Sequence, residues 1–69
     1  MKLSARNIFK GTVVKVVPGA VNSEVTVRIA DGLEIVSMVS KASVDNLGLK
    51  PGATAYTIVK ASNVILGVD

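Results

Sequence analysis

Residues 23–39, SEVTVRIADGLEIVSMV, decide the fold, because they read as two strands joined by a tight turn. In Ser23–Ala30 apolar and polar side chains alternate, which predicts a strand with one core face and one wet face. The core face holds Val25, Val27 and Ile29, and the wet face holds Glu24, Thr26 and Arg28. Asp31-Gly32 is a two-residue hairpin signal because both residues tolerate positive φ. Leu33–Val39 is therefore expected to return as an antiparallel partner.

Toward the N-terminus, Ile8–Val17 is rich in β-branched residues and predicts another strand. Neither of its two alternating faces is cleanly polar. A strand that is apolar on both sides is typically buried on both sides, so this pattern points to a partner subunit. Gly11, inside the strand, predicts a bulge or a tight bend.

Toward the C-terminus, Ser40 is placed to cap a short helix that runs through Leu47, with Gly48 at the left-handed C-terminal cap. Thr54–Lys60 and Val64–Val68 predict a fourth strand and a short closing strand. The order strand, strand, strand, helix, strand, strand predicts an all-β fold. We expect a five-stranded OB-like Greek-key barrel with one short helix between strands 3 and 4, forming a single domain over residues 1–69.

Composition indicates that copies of the chain associate. The chain has 69 residues, is 49% hydrophobic and contains neither cysteine nor histidine. A domain of this size buries only about 60% of its unfolded surface, and disulfides or a structural metal cannot compensate here. A homo-oligomer is the simplest way to cover the excess apolar surface. No apolar run is long enough for a membrane span or a signal-peptide core, which predicts a cytoplasmic protein.

Catalysis is not expected, because without histidine or cysteine a nucleophile would lack its usual base. The acidic residues are dispersed over turns, a wet strand face and the helix, where they serve as solvent-exposed charges and do not form a metal cage. Four of the five acidic residues lie at these places: Glu24, Asp31, Glu34 and Asp45. The sequence therefore predicts a binding protein with no directly coordinated metal.

Hydrogen-bond donors gather in two short segments and at one helix start. Ser4-Ala5-Arg6-Asn7 precedes the first strand, Lys60-Ala61-Ser62 follows the fourth, and Ser40 offers a hydroxyl. Each of these is ordinarily a solvated loop or a cap. Together they are typical of an oxyanion site, where a tetrahedral dianion needs many donors, one or two cations and no nearby acid.

A single-stranded nucleic-acid module is the alternative that an OB barrel raises. That function depends on aromatic side chains on which bases stack. The chain has only Phe9 and Tyr56, and its basic residues, with a net charge of +3, are scattered. The composition therefore disfavours nucleic-acid binding.

SARN at 4–7 followed by FKGTV at 9–13 resembles the molbindin (Mop) family of molybdate-binding proteins. The likeness continues through IVSMVS at 35–40, SVxxLGL at 43–49 and IVKASNV at 58–64, so it spans the whole chain. The resemblance implies an OB-like barrel that assembles as a homohexamer, a trimer of dimers. It also implies that molybdate, or tungstate, is bound as the oxyanion between subunits, for intracellular molybdenum storage and homeostasis.

The resemblance also implies how the site residues divide between subunits. One chain is expected to contribute Ser4, Ala5 through its backbone N–H, and Arg6. A neighbouring chain is expected to contribute Ser40, Lys60, Ala61 and Ser62. Asn7 is expected to brace the loop without touching the anion.

Overall fold

The computed structural model describes all 69 residues and contains four strands and one helix. The elements are β1 (Asn7–Pro18), β2 (Asn22–Ala30), β3 (Leu33–Ser40), α1 (Lys41–Leu47) and β4 (Thr54–Val59). A single turn of 3-10 helix covers Ala61–Asn63. Four of the five predicted strands and the helix are thus present, each within one residue of its predicted end.

The four strands form one antiparallel sheet in the order β3-β2-β1-β4. β1 lies between β2 and β4: its residues Asn7–Thr12 pair with β4, and its residues Thr12–Pro18 pair with β2. The sheet curls around an apolar interior, so the architecture is an antiparallel half-barrel with one short helix beside it.

A β-bulge in β1 resolves its ambiguous sequence pattern. The pairing with β2 shifts register between Val13 and Lys15, leaving Val14 as the extra residue. Because one extra residue reverses the alternation of faces, Val16 follows Val13 on the inner face while Lys15 moves outward. The expectation about the faces of β1 assumed uninterrupted alternation. The bulge changes which residues share a face, but Ile8 and Val17 remain apolar side chains that are 40% and 43% exposed. The bulge is also not at Gly11, where a bulge or bend was expected; at Gly11 the strand passes close to β2.

The core is small and lies on the inner face of the central strands. Val13, Val25 and Val27 are buried, and a ring of half-buried aliphatic side chains packs against them. Thr26, expected on the wet face, is only 8% exposed, whereas Glu24 and Arg28 are exposed as predicted. The predicted alternation in β2 therefore holds at five of the six positions, Thr26 being the exception.

The helix has the ends that its sequence predicts. The Ser40 side chain accepts a hydrogen bond from the Ser43 backbone N–H, which satisfies one of the free donors of the first turn. Gly48 has φ of 63° and closes the helix in the left-handed conformation. Both boundaries therefore follow from local chemistry.

The predicted closing strand over Val64–Val68 is wrong for the isolated chain. From Ile65 onward the backbone makes no hydrogen bond to either free edge of the sheet, and Ile65, Leu66 and Val68 are 93%, 90% and 100% exposed. A strand exists only where an edge offers partners for its backbone groups. The residues of this tail favour β structure, but the tail does not pair with the sheet.

Without a fifth strand the barrel stays open. An apolar groove of about 490 Å³ lies between the edge strands β3 and β4, and its floor includes the buried residues Val25 and Val27. No helix of the structure has the length and apolar character needed to cross a membrane.

Candidate anion-binding site

The pairing of β1 with β4 brings the two donor-rich segments together. Asn7 and Val59 are the last Cα partners of this antiparallel ladder. Beyond that pair the chain leads to Ser4–Arg6 on one side and to Lys60–Ser62 on the other. The two segments line a pocket of about 410 Å³, formed by Ser4, Ala5, Arg6, Lys60, Ala61 and Ser62.

These six residues are six of the seven that the sequence indicated, and within the single chain they line one pocket. The resemblance assigned Ser4–Arg6 and Lys60–Ser62 to different copies. The structure brings both segments together within a single chain, because antiparallel pairing places the start of one strand beside the end of the other. Their distance in sequence therefore needs no second subunit to explain it.

Backbone N–H groups supply donors on both sides of the pocket. The N–H groups of Ala5, Arg6, Ala61 and Ser62 donate to no acceptor within the chain. In the 3-10 turn, Asn63 N donates to Lys60 O at 2.9 Å, so the first N–H groups of the turn are left over, as at the start of any helix. The hydroxyls of Ser4 and Ser62 add two further donors.

The charge of the pocket is purely positive. Arg6 and Lys60 form no ion pair; the one ion pair of the chain joins Arg28 Nη2 and Glu34 Oε2 at 2.9 Å, on another part of the sheet. No carboxylate lines the pocket. Two unpaired cations among neutral donors favour an anion, and the absence of carboxylates disfavours a cation. No cluster of three or more potential metal-ligating side chains occurs in the chain.

Asn7 lies directly behind the pocket. Its side-chain Nδ2 donates to the backbone carbonyl of Val59 at 3.2 Å, and the residue is half-buried. This contact agrees with the expected role of Asn7 in bracing the loop, since its side-chain amide is hydrogen-bonded to the backbone of β4.

Ser40, the seventh residue, is absent from the pocket. It ends β3, at the opposite edge of the sheet from β4. Its hydroxyl is engaged in capping α1, because it donates to Ser43 Oγ at 2.8 Å and accepts from Ser43 N at 3.1 Å. Within one chain Ser40 is a cap.

The two aromatic residues do not form a shared stacking platform. Tyr56 is the Cα partner of Lys10, and Phe9 is the neighbour of Lys10 along β1. Since successive residues of a strand point to opposite faces, Phe9 and Tyr56 lie on opposite sides of the sheet. Base stacking along one face, on which single-strand binding depends, therefore has at most one aromatic ring available.

Comparison with known families gives a match along almost the whole chain. Residues 3–66 match the model of the TOBE domain. The chain is 46% identical over 69 residues to a probable molybdenum-pterin-binding protein of Haemophilus influenzae, and the match covers 100% of both chains.

Two solved structures share the fold closely. MopII from Clostridium pasteurianum superposes with a TM-score of 0.91 at 42% identity, over 97% of this chain and 100% of that one. The cytoplasmic molybdate-binding protein ModG, solved with molybdate bound, gives a TM-score of 0.96 at 59% identity. That match covers 100% of this chain and 49% of ModG.

Proposed function

The chain belongs to the TOBE-domain family, among its molybdenum-pterin-binding (Mop) proteins, and from this premise we propose that it binds molybdate as the intact oxyanion. Tungstate, a tetrahedral dianion of the same kind, is the expected second ligand. The role is storage and homeostasis of molybdenum in the cytoplasm, without catalysis. Relatives described as molybdenum-pterin-binding, and ModG with molybdate bound, support this assignment.

The observation that carries the proposal is the composition of the pocket formed by Ser4–Arg6 and Lys60–Ser62. It has two unpaired cations, two hydroxyls and unused backbone N–H groups, and it has no carboxylate. A tetrahedral dianion presents four oxygens that only accept hydrogen bonds. Donors on both sides of the pocket can therefore hold it, as neutral and charge-assisted donors hold other oxyanions.

Each group has a distinct part in this mechanism. The guanidinium of Arg6 offers a planar fork to two oxygens, whereas the Lys60 ammonium acts as a compact point charge on the other side. The hydroxyls of Ser4 and Ser62 and the N–H groups of Ala5 and Ala61 direct further hydrogen bonds at the anion. Binding requires no bond to molybdenum and no proton transfer, so release is the simple reverse.

The site is incomplete in one respect that a second copy would remedy. Five of the six pocket residues are exposed and Ala5 is half-buried, so water reaches the anion freely. Charge-assisted bonds strengthen when water is excluded. We propose that a neighbouring copy covers the pocket and contributes Ser40, whose hydroxyl lies too far away in its own chain.

Self-association has independent support in the exposed apolar surface. The tail residues Ile65, Leu66 and Val68 are almost fully exposed, and the groove between β3 and β4 is open to solvent and mostly apolar. Surfaces of this kind are typically covered in an assembly. The proposed assembly is a homohexamer, a trimer of dimers, and because ligand at a shared site stabilises the oligomer, binding and assembly are linked.

Titration calorimetry on protein of measured oligomeric mass tests the proposal. Molybdate and tungstate should give saturable heats, and sulfate and phosphate should bind more weakly or not at all. The absence of heat with molybdate on the confirmed oligomer would refute the function. Adding single-stranded DNA to the same series tests the alternative, which predicts binding with a steep salt dependence and no response to molybdate.

A further inference from the structure

One side-chain hydrogen bond ties together the two strands from which the pocket segments emerge. Asn7 Nδ2 donates to Val59 O at 3.2 Å across residues that are 52 positions apart. The other three hydrogen bonds that involve side chains join residues only three or six positions apart. The Asn7–Val59 contact is thus the only long-range side-chain hydrogen bond of the chain.

Its place in the sheet gives this contact its importance. Asn7 and Val59 form the final pair of the β1–β4 ladder. The next residues, Arg6 and Lys60, carry the two cations of the pocket. Ladder ends ordinarily fray, because beyond them the backbone groups lack partners. An additional bond at this end holds the two segments at a fixed separation.

We propose that Asn7 is a positioning residue of the anion pocket, which sets the spacing between Ser4–Arg6 and Lys60–Ser62 through its bond to Val59. This inference rests on the proposed function for the identity of the anion, but its structural part concerns the free protein. Fixing both segments before the anion arrives avoids the cost of ordering them on binding. It also restricts the size of the anion that all donors can reach together.

An amide suits this position better than a carboxylate. Asn7 donates to a carbonyl without adding charge, whereas aspartate at physiological pH could only accept and would place a negative charge beside Arg6. A shorter side chain could not reach Val59 O from the strand. Both requirements follow from the geometry and not from contact with the anion.

The test compares Asn7→Ala and Asn7→Thr with Thr12→Ala. Thr12 pairs with Thr54 at the other end of the same ladder, is exposed and makes no side-chain hydrogen bond, so it is a matched control. Two quantities are measured at a temperature where every variant is fully folded. These are affinities for molybdate and sulfate by calorimetry, and backbone ¹⁵N order parameters of Ala5 and Ala61 in the anion-free protein.

We expect both Asn7 variants to bind molybdate about three- to tenfold more weakly. This loss of affinity corresponds to the net free energy of one hydrogen bond. The ratio of molybdate to sulfate affinity should fall, and the order parameters of Ala5 and Ala61 should drop. Thr12→Ala should change none of these. A purely stabilising role would lower the melting temperature and leave affinity and order parameters of the folded protein unchanged, which would overturn the proposal.

The readouts separate this inference from the proposed function. Wild-type protein that gives no heat with molybdate refutes the function, while the order parameters still test the positioning role. Wild-type protein that binds molybdate, with Asn7 variants of equal affinity and equal order, refutes the positioning role alone. Asn7→Thr keeps a strand-forming side chain, so it provides the measurement should Asn7→Ala not fold.

Discussion

Gly11 on β1 lies directly against the backbone carbonyl of Arg28 on β2. A Cβ atom at position 11 would lie 2.5 Å from Arg28 O and 2.8 Å from the Cγ1 of Val27, which belongs to the buried core. Only a residue without a side chain allows the two strands to approach this closely. The close approach of β1 to β2 at this point therefore requires glycine at position 11.

We expect Gly11→Ala to lower the free energy of unfolding by about 1–3 kcal/mol, the usual cost of forcing extra atoms into a packed site. The clash with Arg28 O involves backbone, so rotation of a side chain cannot relieve it. Denaturant unfolding at fixed protein concentration measures the change. Gly67→Ala is the control, since a Cβ at position 67 has no neighbour within 4 Å. Equal stability of the two variants would contradict the close approach.

Arg6→Ala and Lys60→Ala should each weaken molybdate binding tenfold or more. Each removes a charge-assisted hydrogen bond, worth about 1.5–3 kcal/mol. Lys10→Ala is the control, because it removes the same charge from β1 at a residue outside the pocket. Calorimetry under identical salt conditions checks the prediction. If Lys10→Ala weakened binding as much as Arg6→Ala, the net positive charge of the protein would explain the affinity, and the proposed role of the pocket would be refuted.

Ser40→Ala should separate the capping role of Ser40 from its proposed role in binding. Loss of the cap should cost about 1 kcal/mol of stability, because the Ser43 N–H loses its acceptor. Ser40→Thr keeps the hydroxyl and should be close to wild type in both respects. If Ser40 of a second copy reaches the anion, Ser40→Ala also weakens molybdate binding on fully folded protein. Unchanged binding would assign Ser40 to the helix alone.

Ser23→Ala should leave the stability unchanged or raise it by up to about 1 kcal/mol. Ser23 is 1% exposed, and its hydroxyl is the one buried side-chain polar atom without a hydrogen-bond partner. An unpaired buried donor carries a desolvation cost that alanine removes. Thermal unfolding beside Ser40→Ala gives an internal contrast, since that variant loses a hydroxyl that is bonded. Clear destabilisation by Ser23→Ala would mean that the hydroxyl has a partner in the assembled protein.

Ile65→Asp and Leu66→Asp should reduce self-association. Both residues are at least nine-tenths exposed in the single chain, so a charge there costs the monomer little. In an assembly that covers the tail, the same charge would be buried without a partner. Sedimentation measures the mass across a range of concentrations. Ala20→Asp, in the exposed connection between β1 and β2, is the control. An unchanged mass for the tail variants would exclude the tail from the interface.

The sequence predicted four strands, the helix and its caps because these depend on local chemistry. Each of these local signals spans only a few residues, so it can be read directly from the sequence. They are the alternation in β2, the Asp31-Gly32 turn, the Ser40 cap and Gly48 at the end of the helix. The donor-rich residues of the pocket could also be identified from the sequence, since an oxyanion site needs particular residue types. That no carboxylate lies among them is shown by the lining of the pocket.

Three features required the tertiary structure. The bulge at Val14 reverses the faces of β1, and only its pairing with β2 reveals the extra residue. The tail at 64–68 has strand propensity, but whether it forms a strand depends on an edge to pair with. The third feature is that Ser4–Arg6 and Lys60–Ser62 line the same pocket within one chain. Residue types decide what a site can bind, but the register of β1 on β4 decides which residues meet, because backbone pairing acts across the whole length of the chain.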